Sequence, residues 1–135
     1  MERHRLARAQ GLFNVVSGLW PLMHRRSFEA LFGPKADWWL VQTVAGLLVS
    51  NGVALLRTAR DEQSLEQARR LGIATAATLL AVDLRYVPSG RIAPTYMADA
   101  VAEMGWILLW TRSRRGGGSV TAQSPPRGRV RLPRA

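Results

Sequence analysis

The chain has 135 residues, 47% of them hydrophobic, with 5 Trp, no cysteine and a formal net charge of +10. That length suits one domain with a tail. The absence of cysteine excludes a disulfide framework, a thiolate zinc site, an iron–sulfur cluster and a cysteine nucleophile. The charge points first to nucleic acid or an acidic surface, but the apolar and tryptophan content does not fit a disordered basic arm.

Residues 1–111 divide into four apolar blocks. The first, LFNVVSGLWPLM at 12–23, extends back to Ala9, with Arg8 placed to snorkel at the interface. Arg3, Arg5 and Arg8 would suit the n-region of a signal peptide. The following LMHRR lacks the small residues of a cleavage site, so a retained helix is expected. The connector 24–37 places Phe28, Leu31 and Phe32 on one helical face and stops at Gly33-Pro34, the pattern of a short interfacial helix.

The second block, WWLVQTVAGLLVSNGVALL at 38–56, runs 19 residues without a charge, close to the roughly 20 a bilayer core requires. It decides between a membrane bundle and a soluble one, because a soluble amphipathic helix carries charge on its wet face. In the connector 57–70, Ser64 and Gln67 fit a capping box and Glu66–Arg70 is an i,i+4 pair, so the next helix starts in water. The third block is 71–87. The short PSGRI connector at 88–92 makes the third and fourth helices antiparallel neighbours. The fourth block is 93–111, with Pro94 suited to its first turn.

Seven of the 19 basic residues follow residue 111 in a stretch without acids, rich in Gly, Ser and Pro, which cannot bury a core. This tail has no aromatic residue to stack on bases, so its expected partner is anionic lipid head groups and not nucleic acid. The fold expected is therefore all-α: a membrane-embedded antiparallel four-helix bundle with spans at about 9–23, 38–56, 71–87 and 93–111, and a disordered basic tail at 112–135. Fourteen of the 19 basic residues fall on the side of the termini, which the positive-inside rule places in the cytoplasm. Trp20, Trp38, Trp39, Tyr86 and Tyr96 fall at outer ends and Trp110 at the inner end, as interfacial belts do. The small pairs Gly46/Ser50, Gly72/Ala76, Ala77/Ala81 and Ala98/Ala102 suggest close helix packing.

Asp83, Asp99 and Glu103 carry the most information, because a charge in hydrocarbon costs a few kcal/mol even on the lenient insertion scale. Asp99 and Glu103 share a helical face with Tyr96, Trp106 and Trp110. Glu103 lies about 15 Å in from Ala93, near the midplane, and Asp99 about 9 Å in. Two such neighbours do not both ionise in low dielectric without a cation, and Glu103 is expected to be protonated at neutral pH unless a partner supplies charge. Asn14, Ser17, Thr75 and Thr78 are neutral partners at similar depth. Nearer the outside, Asp83 and Asp99 are placed to meet His24, Arg25, Lys35, Arg85 or Arg91, with Glu29 joining them. The result is a polar pocket open to the outside and floored by Glu103.

His4 and His24 fall on opposite sides of the membrane, which excludes paired axial haem ligation. No metal-ligand spacing, phosphate loop or nucleophile elbow is present, so no cofactor is expected and an enzyme has little support.

Three segments carry a resemblance: SGLWPLMHRRSFEALFGPKADWWLVQTV, AVDLRYVPSGRIAPTYMADAVAE and the small-residue third helix. Through Trp20-Pro21-Leu22, Phe28-Glu29, Gly33-Pro34-Lys35, Asp83, Gly90-Arg91-Ile92, Tyr96, Asp99 and Glu103, most of residues 11–111 resembles a family of small bacterial four-span membrane proteins of uncharacterised function. The general plan is similar to DoxX-like four-helix proteins, at the level of architecture only. The resemblance implies a bacterial inner membrane and groups Glu29, Lys35, Asp83, Asp99 and Glu103 as one cluster. Three functions follow as expectations. The first is a binding or scaffold protein, as a homo-oligomer or a subunit of a membrane complex. The second is a proton-linked transporter or channel subunit using Glu103 and Asp99. The third is a membrane oxidoreductase subunit, suggested by the DoxX-like plan alone.

Overall fold

A computed structural model describes residues 2–113; Arg112 and Ser113, expected in the disordered tail, instead complete the last helix, and the rest of that tail lies outside the described residues. Among the described residues the fold is all-α: five helices and no strand. Helix α1 spans Arg3–Met23, six residues earlier than the expected span, and carries Arg3, Arg5 and Arg8 on its first turns. Pro21, with no N–H to offer the Ser17 carbonyl, brings α1 to its end two residues later. Helix α2, Arg25–Phe32, is the expected short helix, closed by Gly33 at φ 79, where a side chain would be strained.

Helix α3 is Trp38–Leu56, as the uncharged run predicts. Helix α4 runs Glu62–Tyr86, earlier than the capping-box reading allows. Its N-cap is Asp61, whose Oδ1 accepts the Ser64 N–H at 2.9 Å, so Ser64 lies inside the first turn. Helix α5 is Tyr96–Ser113, three residues later than expected, with Pro94 in the turn before it, where its carbonyl accepts the Met97 N–H. Of these helices only α3 is long and apolar enough, by length and composition alone, to cross a membrane. The other long helices miss that standard because the apolar part of α1 is short and holds Gln10 and Asn14, that of α4 is bounded by Arg69, Arg70 and Asp83, and Asp99 and Glu103 interrupt α5.

The tightest helix pair is α1 with α3, set by glycines that the small-residue pairs did not single out. A Cβ on Gly11 would lie 2.8 Å from the Gly52 carbonyl oxygen, and one on Gly18 2.6 Å from that of Ala45. Rising numbers on α1 meet falling numbers on α3, so the two run antiparallel. Gly46 lies away from this contact, with nothing within 4 Å of a Cβ, and Ala77, Ala81 and Ala98 are exposed. Gly72 and Ala76 of the expected pairs are buried.

The interior mixes polar groups with small apolar ones, while many large apolar side chains lie outside. The buried side chains include Gln10, Asn14, Asp83 and Glu103. Leu12, Val16, Met23, Trp39, Leu47 and Val101 are instead more than half exposed. The apolar cluster that does form, Leu6, Ala7, Leu55, Ala68 and Trp110, sits at the end of the molecule where the chain begins. Trp110 is 0% exposed and not part of a surface belt, whereas Trp20, Trp39 and Tyr86 do face outward.

Candidate functional site

The end occupied by Trp110 is closed. Trp110 Nε1 donates to Gln10 Oε1 at 2.7 Å, and Gln10 Nε2 donates to the Gly72 carbonyl at 2.9 Å. Gly72 admits this knot because a Cβ there would collide with the Gln10 amide and lie 2.7 Å from the indole nitrogen. Next to it, Arg3 reaches Glu62 at 2.6 Å and Glu66 at 3.2 Å, tying the start of α1 to that of α4. Arg69 and Arg70 also bind Glu66, which confirms the expected i,i+4 pair and adds an i,i+3 one. The Arg69 guanidinium, aided by Arg70, holds the Glu66 carboxyl down to about 2.

At the opposite end the helices diverge around a cavity of about 620 Å³ whose wall includes residues from all five helices. Asp83 of α4 and Asp99 and Glu103 of α5 are on that wall, together with Val82 and Tyr96. The rest is mainly apolar, with Phe13 and Pro21 from α1 and Val44 and Leu48 from α3. Glu103 is 1% exposed, and neither of its carboxyl oxygens has a hydrogen-bond partner among the described residues. Asp83, 3% exposed, has Oδ2 in the same condition. Asn14 is equally buried, with both amide atoms unpartnered, although it is not part of the cavity wall.

Helix α2 and the loop after it cover the mouth. Phe32 lies 4.6 Å from Tyr96, 5.0 Å from Phe28 and 5.9 Å from Trp20, ring centre to ring centre. Trp20 Nε1 donates to Ser27 Oγ at 2.8 Å, and Thr95 Oγ1 donates to the Leu31 carbonyl at 2.7 Å, so both ends of α2 are fastened. Lys35 lines the cavity too; its ammonium donates to the Phe32 carbonyl at 2.8 Å and stands 4.8 Å from the Tyr96 ring centre. Burial lowers this ammonium from the usual lysine range, with the Glu29 charge opposing.

The cluster read from the sequence is thus divided. Asp83, Asp99, Glu103, Lys35 and Tyr96 share one cavity. Glu29 turns instead to Arg25, at 3.1 Å, and accepts the Lys35 backbone N–H. The Arg25 guanidinium and that N–H hold its carboxyl below the ordinary range. His24 caps α2, its Nδ1 accepting the Ser27 N–H at 3.2 Å. Arg25 lies 4.3 Å from the Trp38 ring centre. Among the described residues no ion pair reaches Asp83, Asp99 or Glu103, so the expected outer cations do not neutralise them. Thr75 accepts from Asn51 at 3.3 Å and Thr78 donates to the Ala74 carbonyl, and neither bonds Glu103.

The sequence reading missed Gln10 and Gly72 as partners, since the amide's neighbours lie 62 and 100 residues away. The amide itself was visible in the sequence, but beside Arg8 it gave no sign of burial. Compared with models of known families, with curated proteins and with solved structures, the chain matches none.

Proposed function

We propose that this chain is a multi-pass integral membrane protein that binds a small, mostly apolar molecule in the cavity between its helices. The observation that carries this reading is the exposed surface of large apolar side chains around an interior that holds two carboxyl and two amide side chains. Water penalises such a surface and lipid does not. Helix α3 adds to this, because a soluble protein hides so apolar a helix, yet only 17% of its most apolar window is buried.

In this reading α1, α3, α4 and α5 cross the bilayer as an antiparallel four-helix bundle and α2 lies at the interface. The uncharged part of α1, residues 9–23, spans about 22 Å, and α3 about 28 Å, enough for a bilayer core with modest thinning. Both termini face the cytoplasm of a bacterial inner membrane, on the side rich in arginine. The cavity then opens on the other side. Its volume falls within the range of roughly 300–1,000 Å³ usual for small-molecule sites.

Binding suits this geometry better than conduction, because Leu6, Leu55, Gln10 and Trp110, all 0% exposed, close the cytoplasmic end. A proton-linked transport role for the same carboxylates is a second reading, favoured by their lack of cationic partners. It requires Glu103→Gln to abolish proton flux in proteoliposomes while the fold is retained.

Two measurements test the proposal. The chain is expected to stay with the membrane pellet after alkaline carbonate extraction, and release into the supernatant would contradict membrane integration. In nanodiscs, the neutral alcohol 3,3-diphenylpropan-1-ol is expected to bind saturably, and Ala102→Phe, which fills the cavity from its wall, is expected to abolish that binding. Uptake that is unsaturable and identical in both proteins would be bilayer partitioning and would refute the site.

A further inference from the structure

We infer that the ligand of this cavity is an amphipathic amine, an apolar or aromatic body carrying one protonated nitrogen. The inference rests on the binding reading above and specifies its ligand class.

The cavity wall carries three carboxyl groups, Asp83, Asp99 and Glu103, against one ammonium, Lys35. That ammonium is already engaged with the Phe32 carbonyl and the Tyr96 ring. Glu103 Oε1 and Oε2 and Asp83 Oδ2 are buried acceptors without a donor. Leaving such an atom unpaired is costly, and the cost is greater for charged groups. A primary ammonium brings three N–H donors, as many as there are orphan oxygens, and the compensating charge these acids lack. A neutral alcohol brings a single donor and no compensating charge, and an anion would add repulsion.

The remainder of the wall selects the rest of the molecule. It is mainly aliphatic and aromatic, and Trp20, Phe28, Phe32 and Tyr96 gather at the mouth, where ring faces favour a passing cation. A bare metal ion does not fit. Among the described residues no three His, Cys, Asp or Glu side chains are grouped as its ligands, and a mainly apolar wall of this size would leave most of its coordination shell unfilled.

The test uses the full chain in nanodiscs and calorimetric titration, with empty nanodiscs subtracted. The probes are 3,3-diphenylpropan-1-amine and its isostere 3,3-diphenylpropan-1-ol. Wild type is expected to bind the amine at least about tenfold more tightly than the alcohol, the scale of one charge-assisted hydrogen bond. Glu103→Gln and Asp83→Asn are each expected to erase about tenfold of amine affinity and to lower alcohol affinity by a much smaller factor, since the alcohol brings one donor and no charge. The alcohol also reports that the cavity of each variant is intact, so a misfolded variant is recognised by its loss of both ligands. In that event the wild-type preference alone decides. Equal affinity for amine and alcohol in wild type would overturn the inference, as would amine binding that survives Glu103→Gln. Alcohol binding that is saturable and lost in Ala102→Phe, without amine preference, would overturn the ligand class and leave the binding site standing. Failure of Ala102→Phe to affect either probe would overturn both.

Discussion

Gln10 satisfies its amide through groups on two other helices, and Gly72 is the residue that makes room for it. Trp110→Phe removes the indole donor and leaves Gln10 Oε1 buried and unpaired. A loss of about 1–3 kcal/mol is expected, measured by SDS-induced unfolding in mixed micelles. Gly72→Ala places a methyl group against both partners and is expected to cost at least as much. An unchanged unfolding midpoint in Trp110→Phe would show that the knot contributes nothing. The acids are easier to find from sequence, because a carboxyl group among apolar residues is anomalous wherever its neighbours lie. An amide beside Arg8 is not anomalous, and its meaning emerges only when α4 and α5 come alongside.

At the scale of elements, the α1–α3 contact depends on absent side chains. Gly11 and Gly18 are seven residues apart and share a face, opposite Gly52 and Ala45. This pattern stands in the sequence, but pairs at i,i+4 do not reveal a seam that repeats every two turns. Gly18→Ala must push α3 away, at an expected cost of about 1–3 kcal/mol. Gly46→Ala meets open space and is expected to be neutral or to stabilise by up to about 1 kcal/mol through helix propensity. The same micelle unfolding assay separates them, and equal effects would refute the packing. Helix α4 makes a pH prediction. The Glu66 carboxyl sits at about 2 against an ordinary 4.5, so the folded state binds its proton more weakly than the unfolded state does. Its contribution to stability is complete above about pH 4.5 and is lost as pH falls towards 2. The thermal midpoint is expected to decline across that window, and Glu66→Gln to flatten the decline. The cap of α4 is ambiguous in the sequence because Ser64 and Asp61 both precede good helix formers, and only geometry selects the carboxylate.

Over the whole molecule, four apolar blocks and their short connectors are legible in the sequence, since uncharged runs and Gly-Pro stops act locally. The cavity is legible only in part. Depth along a helix places Asp83, Asp99 and Glu103 together, but the choice of Glu29 and His24 to face Arg25 and Ser27 is made by side-chain geometry within and beside α2. In the proposed membrane arrangement the exposed aliphatic surface faces lipid, with the Arg3–Glu62 end in the cytoplasm. The natural absence of cysteine makes a direct measurement possible. Single cysteines at Thr58, Ser89 and Val101 are treated with a membrane-impermeant maleimide in intact and permeabilised cells. Ser89→Cys is expected to react in intact cells, Thr58→Cys only after permeabilisation, and Val101→Cys, at a position 71% exposed in the bare protein, only after denaturation. Rapid labelling of Val101→Cys in the native protein, or reaction of Thr58→Cys and Ser89→Cys from the same side, would contradict this membrane arrangement.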